Sequence, residues 1–382
     1  MTSMKNNEKL TTTFLLCLVA ALLIAGLAGC GSSNNSAGGA DDALIVGGVS
    51  DTGSLVGPAE IFSLSTRAFR ATGSLVTPRG DSQAVRLKSG QVLVIGGYDA
   101  TGEALASAEL YNPGTHRFTQ LKNQMTTARD NPAAILLKNG EVLIAGGLDA
   151  NGNVLQTAEL YDPKTEQFTA TGSMTAARSS LTVVLLKDGE ALAAGGFDTT
   201  GTPLASAEVY NLSTGAFTAV GNMSDSRQDA AAVTLKDGDV LVTGGTDANG
   251  NQLNTADLYN PTTESFSPTG TMVGAHSDHT ATLLKDGKVL VAGGFDTTGF
   301  PTANAELYDP ATGTFSATGV MTQAFAEQSA VELGDGQVLI AAGMDGSLSP
   351  TAGANLYNPD KGTFSVTDSL EYARMDQDGT NL

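Results

Sequence analysis

ATLLKDGKVLVAGGFDTTGFPTANAELYDPATGTF, residues 281–315, decides the fold, because close copies of it recur from end to end of the chain. Its glycine pair Gly293-Gly294 returns as Gly47-Gly48, Gly96-Gly97, Gly146-Gly147, Gly195-Gly196 and Gly244-Gly245, with a worn seventh at Ala342-Gly343, at a period of 49 residues, once 50. A fixed period of this size marks a solenoid, an array or a propeller, in which no unit buries a core of its own.

Within the unit, Thr280 to Leu284 and Lys288 to Gly294 are apolar runs on either side of Asp286-Gly287, which reads as a two-residue hairpin turn with positive φ at both residues. Ser89-Gly90, Asn139-Gly140, Asp188-Gly189, Asp237-Gly238 and Asp335-Gly336 repeat that turn, so six hairpins of strands a and b are expected. Runs such as AAILL and VLIA are apolar throughout, as in strands covered on both faces by neighbouring units. Strand c carries the A-E-L-Y segment. Strand d carries a Phe seven residues after each Tyr, as in Tyr161/Phe168, Tyr210/Phe217, Tyr259/Phe266 and Tyr308/Phe315, with Phe62/Phe69 in the first unit. Between them, turns such as Asp309-Pro310-Ala311-Thr312-Gly313 use Pro to preset φ and Gly for the left-handed corner. Four short antiparallel strands per unit, repeated radially, make the blades of a β-propeller.

A hydrophobic run into Gly-Gly, a loop, then Tyr and a second aromatic resembles the kelch repeat, from about Asp42 to Leu382. That second aromatic is usually Trp in the resembling family and is Phe throughout here. The ends set the blade count. Strand b stands at Leu44 to Gly48 with no strand a before it, while the chain after Phe364 runs on to Leu382, the place where strand a ends in the other repeats. The expected fold is therefore all-β: a seven-bladed kelch-type β-propeller, four antiparallel strands per blade, closed by the C-terminal strand Asp376 to Leu382 against Leu44 to Gly48.

Residues 1–29 differ in kind, with Lys5 and Lys9 preceding the apolar run Thr13 to Gly29. Leu27-Ala28-Gly29-Cys30 resembles the lipobox of bacterial lipoproteins, which implies cleavage before Cys30 and its acylation. Gly31 in place of Asp implies the outer membrane or cell surface. Residues 30–40 then form a flexible polar linker, and 41–382 the propeller. Cys17 leaves with the signal and Cys30 carries lipid, so no disulfide and no Cys-ligated metal is expected. With 46 Gly, no Trp and 5% aromatic residues, the chain suits short strands and tight turns. A formal net charge of −20 excludes nucleic acid and anionic lipid as partners for the domain.

Two positions per repeat carry charge. Ahead of strand a stand Arg79, Arg129, Arg178, Arg227, His276, Phe325 and Arg374; thirty residues later, in strand c, come Glu109, Glu159, Glu208, Asp257, Glu306 and Asn355, with Glu60 in the first blade as the partner of Arg374. The repeat that loses the cation also loses the anion, so structural pairs within each blade are expected rather than a cationic ring for a ligand. Two residues after the Arg position come Asp81, Asn131, Ser180, Asp229, Asp278, Glu327 and Asp376. Symmetry gathers them at the mouth of the central tunnel, where like charges raise one another's pKa and attract a cation or a basic partner.

Binding candidates are thus Asp81, Asp229, Asp278, Glu327 and Asp376, together with His276 and His279 from one d–a loop. Some kelch propellers are copper oxidases, but that resemblance implies a cross-linked Cys this domain lacks, and no cofactor or metal is expected. Asp149-Ala-Asn-Gly and Asp247-Ala-Asn-Gly bring one carboxylate each and read as plain turns. The function expected is that of a lipid-anchored, monomeric binding scaffold of the cell envelope and not an enzyme. Its partner is an envelope or extracellular protein or, through Tyr98, Phe197, Phe295 and Phe300, a glycan. The alternative is a carbohydrate-active hydrolase or isomerase.

Overall fold

The computed structural model describes residues 42–382. The expected signal segment, the expected acylation at Cys30 and the expected linker lie outside the described residues. From Asp42 onward the chain forms seven four-stranded antiparallel sheets, and among the described residues there is no helix. Each sheet is one blade, and strand a is innermost. The innermost strands each touch their counterparts in both neighbouring blades, closing a ring.

The blades are held by shared cores. Val85, Leu93 and Ile95 of the second blade pack with Val142, Ile144 and Tyr161 of the third in one buried cluster, and the pattern repeats around the ring. Burying each such side chain contributes about 1.5–3 kcal/mol, so a blade's stability depends on its neighbours. The Tyr–Phe pairs face each other across strands c and d with ring centroids 4.7–5.1 Å apart, the Phe62–Phe69 pair being the widest.

Two sequence expectations are corrected in detail. Strand b of the sixth blade is Val289–Ala292 and stops short of the glycine pair. Both glycines of each pair take positive φ, as at Gly96 (64°) and Gly97 (82°), and a Cβ on Gly96 would lie 2.6 Å from the carbonyl oxygen of Arg129 in the next blade. The pair is the point where adjacent blades' loops meet. The a–b hairpins also differ from the expected two-residue turn. Leu87 and Gln91 bracket three loop residues, Gly90 N–H donates to Leu87 O at 2.9 Å, and only the Gly has positive φ. That is a three-residue loop with Gly at the left-handed corner, which tolerates Ser, Asn or Asp before it without strain.

Closure follows the expected pairing, beginning one residue earlier. Met375–Asn381 runs antiparallel to Asp42–Val49, with Leu44 opposite Thr380 and Val46 opposite Asp378. Asp378 and Gly379 are poor strand formers that the seam uses. Asp378 Oδ2 accepts the Ala84 N–H at 2.6 Å, and a Cβ on Gly379 would meet Ile45 Cδ1 at 2.9 Å.

Candidate functional site

The d–a and b–c loops share one end of the propeller and pair within each blade, as in the bridges Gly80↔Tyr98, Asp130↔Leu148 and Ser277↔Phe295. Each d–a loop carries the Arg position and, two residues on, the acidic position. The structure treats the two in opposite ways.

At the Arg position every charge is matched. Arg79, Arg129, Arg178, Arg227 and Arg374 are fully buried and meet Glu109, Glu159, Glu208, Asp257 and Glu60 at 3.2, 3.2, 3.1, 2.9 and 2.8 Å, the pairs expected from the repeats. Arg79 Nη1 also donates to the carbonyls of Gly96 and Ser107, both at 2.9 Å. Glu109 in turn accepts the N–H groups of Val76 and Thr77 at 2.8 and 2.9 Å, so each carboxylate fixes the loop that delivers its own arginine. Burial lowers the Arg79 pKa, and Glu109 works against that shift. These arginines are structural and offer nothing to a ligand.

His276 and His279 belong to this buried layer rather than to the mouth. His276 fills the sixth Arg position, with Nδ1 2.7 Å from Gly293 O and Nε2 3.3 Å from Glu306 Oε1. Both partners are oxygen atoms that accept, so the imidazole takes the place of a guanidinium in the same clamp. Burial tends to raise the Glu306 pKa, yet hydrogen bonds from His276 and from the Gly274 and Val273 N–H groups hold it below its usual value. His279 Nε2 lies 2.8 Å from Thr243 Oγ1, and burial pushes its pKa well down. In the seventh blade Phe325 is buried and Asn355 accepts the Thr322 N–H at 3.0 Å, an uncharged version of the same clamp.

The acidic position converges on the axis. Asp81, Asn131, Ser180, Asp229, Asp278, Glu327 and Asp376 all have φ between 47° and 55°. Their backbones are linked around the tunnel by Asp229 N–H to Ser180 O (3.3 Å), Asp278 to Asp229 O (3.0 Å), Glu327 to Asp278 O (3.1 Å) and Asp81 to Asp376 O (3.1 Å). Left-handed backbone favours Asn and Asp, which accounts for part of the composition. It does not account for Glu327, or for Asp where Asn would serve without charge.

Asp229 and Asp278 are packed among protein atoms, while Asp81, Asp130, Glu327 and Asp376 are partly exposed. Asp229 is 1% exposed and Asp278 7%. Burial first, then Asp376, Asp130, Glu327 and Asp229 across the tunnel, raise the Asp81 pKa well above normal. Burial first, with neighbouring acids adding, does the same at Asp278 and Glu327, and burial lifts Asp229 to about 7 against hydrogen bonds from Gln228 and Ser180. Burial likewise raises Asp376, opposed by hydrogen bonds to Glu327 and Tyr98.

Two members escaped the sequence reading. Asp130 joins the cluster, pushed by burial to about 7. Tyr98, read as a glycan contact, donates its hydroxyl to Asp376 Oδ2 at 3.4 Å, and its ring fills the space that a Cβ on Gly80 would occupy, 2.6 Å away. The pairing of Gly80 with the only Tyr to follow a glycine pair was the available signal. Of the other aromatic candidates, Phe295 is buried, Phe197 partly so, and Phe300 is half exposed. Asp149 accepts the N–H groups of Asn151 and Asn153 at 2.8 and 2.9 Å, which makes its loop a plain turn.

The family model for the kelch motif matches residues 87–125, 132–175, 178–224 and 230–273. No curated protein matches the chain. Among solved structures, a chain titled "Structure of YjhT" aligns with a TM-score of 0.61 at 13% identity, covering 76% of this chain and 97% of that one. Likeness at that identity bears on the fold alone. The first, sixth and seventh blades, beyond the matched motifs, repeat the same four strands, glycine turns and loop clamp. With motif and architecture in agreement, the chain is a kelch-repeat β-propeller of seven blades.

Proposed function

We propose that this propeller is a binding module of the cell envelope, held to a membrane by lipid on Cys30 and engaging a protein through the axial acids of its loop face. The observation that carries the reading is the convergence of Asp81, Asp229, Asp278, Glu327 and Asp376 from five blades onto one tunnel end. Structural arginines elsewhere in the same loops show that this fold neutralises buried charge where nothing else is required of it. The direct test is capture from envelope extract by the chain from residue 41, against the variant Asp229→Asn, Asp278→Asn, Glu327→Gln. A partner retained by the parent and lost by the variant supports the reading; equal capture removes the mouth from it. Anchoring is tested separately, since Cys30→Ser should move the protein from the membrane pellet to the soluble fraction.

A second reading, a carbohydrate-active enzyme, draws on the same acids. A carboxyl with a pKa near 7, as at Asp130 and Asp229, suits general acid catalysis at neutral pH. Turnover of a glycan by the parent that disappears in Asp130→Asn, a residue the capture experiment leaves intact, would favour it.

A further inference from the structure

We infer that the axial end of the loop face is a socket for the guanidinium group of an arginine side chain on a partner protein. The inference rests on the binding reading above and names the chemistry of what is bound.

Asp229 and Asp278 are more than nine-tenths buried, yet the Oδ1 atom of each has no hydrogen-bond partner. Asp81 Oδ1, Asp130 Oδ1 and Glu327 Oε2 are in the same condition. A buried carboxyl oxygen without a donor destabilises the fold by about 1–3 kcal/mol, and such groups are normally paired. Here several lie together, unpaired, in a protein that pairs the buried acids of its arginine clamps with care. Neutral donors such as Gln228 and Tyr98 reach single oxygens, but the recurring cations of the repeats are engaged elsewhere: the arginines are committed to their clamps, and Lys88, Lys187, Lys236 and Lys285 donate to turns of the next blade at the opposite end. The left-handed backbone explains a short polar residue at each position and leaves the unpaired oxygens unexplained.

The geometry selects among cations. Calcium needs several oxygens at about 2.3–2.6 Å from one point, and among the described residues no group of three or more His, Cys, Asp or Glu is placed to hold a metal ion. A guanidinium is flat and rigid, carries five N–H donors pointing outward, and can serve acceptors contributed by several blades without gathering them at one point. Two exposed apolar side chains argue for a chain-borne group over a free small cation. Phe300 and Leu348 stand 50% and 46% exposed on the b–c loops of adjacent blades at the same end, Phe300 where other repeats place Glu103, Asn153, Thr202 or Asn251 and Leu348 at the left-handed corner that is Gly102, Gly152 or Gly299 elsewhere. They offer a surface to residues flanking the arginine, and the net charge of −20 favours a basic partner.

The groups facing the tunnel end are Asp81, Asp130, Asp229, Asp278, Glu327, Asp376 and Tyr98, and burial raises the pKa of each. A bound cation favours the ionised carboxylates, so binding expels protons and strengthens with pH, about tenfold per pH unit for each proton released. General attraction of cations to an acidic protein has no such signature.

The test is calorimetric titration of the chain from residue 41, which holds every strand of the closed ring, with the blocked peptide acetyl-Leu-Arg-Leu-amide, with argininamide and with calcium chloride, at pH 6 and pH 8. The peptide is expected to bind about tenfold more tightly than argininamide, a difference of about 1.4 kcal/mol. Affinity should be higher at pH 8, with heats that vary with buffer ionisation. Asp229→Asn, Asp278→Asn, Glu327→Gln should abolish binding; if that variant does not fold, Asp229→Asn alone should weaken it and reduce the protons released. No binding of either guanidinium probe, equal binding by parent and variant, or binding without proton release overturns the inference. Argininamide binding as tightly as the peptide overturns the protein source, and tighter binding of calcium overturns the guanidinium. If an extract partner is captured through the mouth while neither guanidinium probe binds, the binding module stands and this inference falls.

Discussion

The axial position follows the clamp position by two residues in every d–a loop, and where both are charged, as at Arg227 and Asp229, the two sites handle charge in opposite ways. At the clamp, Arg129 finds the Glu159 carboxylate and the carbonyls of Gly146 and Thr157, while Glu159 also holds the Thr126 and Thr127 N–H groups. At the axis, Asp229 and Asp278 face other acids and keep an oxygen unpaired. In the second to sixth blades the clamp's complement comes from the same repeat, so those blades are electrically complete before the ring closes, while the first takes Arg374 from the far end of the chain. The acids gain neighbours only when seven blades meet, and those neighbours repel. A propeller can thus bury charge for structure within a blade and hold charge in reserve on its axis.

The largest disturbance removes one of each. Deleting Ser369 to Leu382 takes Arg374 from the Glu60 clamp, Asp376 from the axis and the closing strand from Asp42–Val49. The loss should exceed the ~3–5 kcal/mol of one broken buried pair and expose a strand edge. Size-exclusion chromatography and thermal melting should show association and a lower Tm; a monomer melting like the parent breaks the closure account.

Next comes the clamp alone. Glu159→Ala leaves the buried Arg129 charge and two loop N–H groups without a partner, and should lower stability by about 3–5 kcal/mol in urea unfolding. A change below ~1 kcal/mol would mean that water reaches the clamp and that the contrast with the axis is false.

The axis should behave with the opposite sign. Asp130 and Asp229 titrate near 7 in the folded protein and near 4 when unfolded, so their contribution is fully present below pH ~4 and lost as pH rises to about 7. Each titrating group changes stability by up to ~1.4 kcal/mol per pH unit in that window. Stability should therefore fall from pH 5 to pH 8 in the parent and fall less in Asp229→Asn, Asp278→Asn, Glu327→Gln, which gains on the parent at pH 8. Identical pH profiles would show that the acids are solvated.

The smallest effect is expected from restoring the majority residue at the sixth clamp. His276→Arg restores the majority residue beside Glu306, and Gly274 leaves room next to the ring. A change within about 1 kcal/mol is expected at neutral pH, since replacing a buried pair by an equivalent one is close to neutral. A loss of several kcal/mol would mean the sixth clamp is specialised.

Much of the fold was legible because the chain contains its own comparisons. The Gly-Gly spacing gave the blades, the offset of Leu44 and Leu382 gave the closure, and the joint loss of Arg and Glu at Phe325 and Asn355 exposed the clamp as a pair. The hairpin type was misread because Asp-Gly fits both a two-residue turn and the end of a three-residue loop. The backbone of the flanking strands chooses between them. His276 stood both at an Arg position facing Glu306 and among the binding candidates of its loop; packing turns it inward to Glu306. Asp130 and Tyr98 break the repeat pattern, so repeat comparison passed over them.

The sequence by itself determined the period, the strand count per blade, the closing strand and the partners of the buried arginines, because each is a local pattern or a pairing at fixed separation that recurs along the chain. Only the tertiary structure decided that the acidic positions are left-handed, that Asp229 and Asp278 are buried, and that several carboxyl oxygens lack hydrogen-bond donors. The surroundings of the axis belong to no single blade: the innermost strands of neighbouring blades meet there, and Asp278 is influenced by Asp229 and Asp376, which other repeats supply.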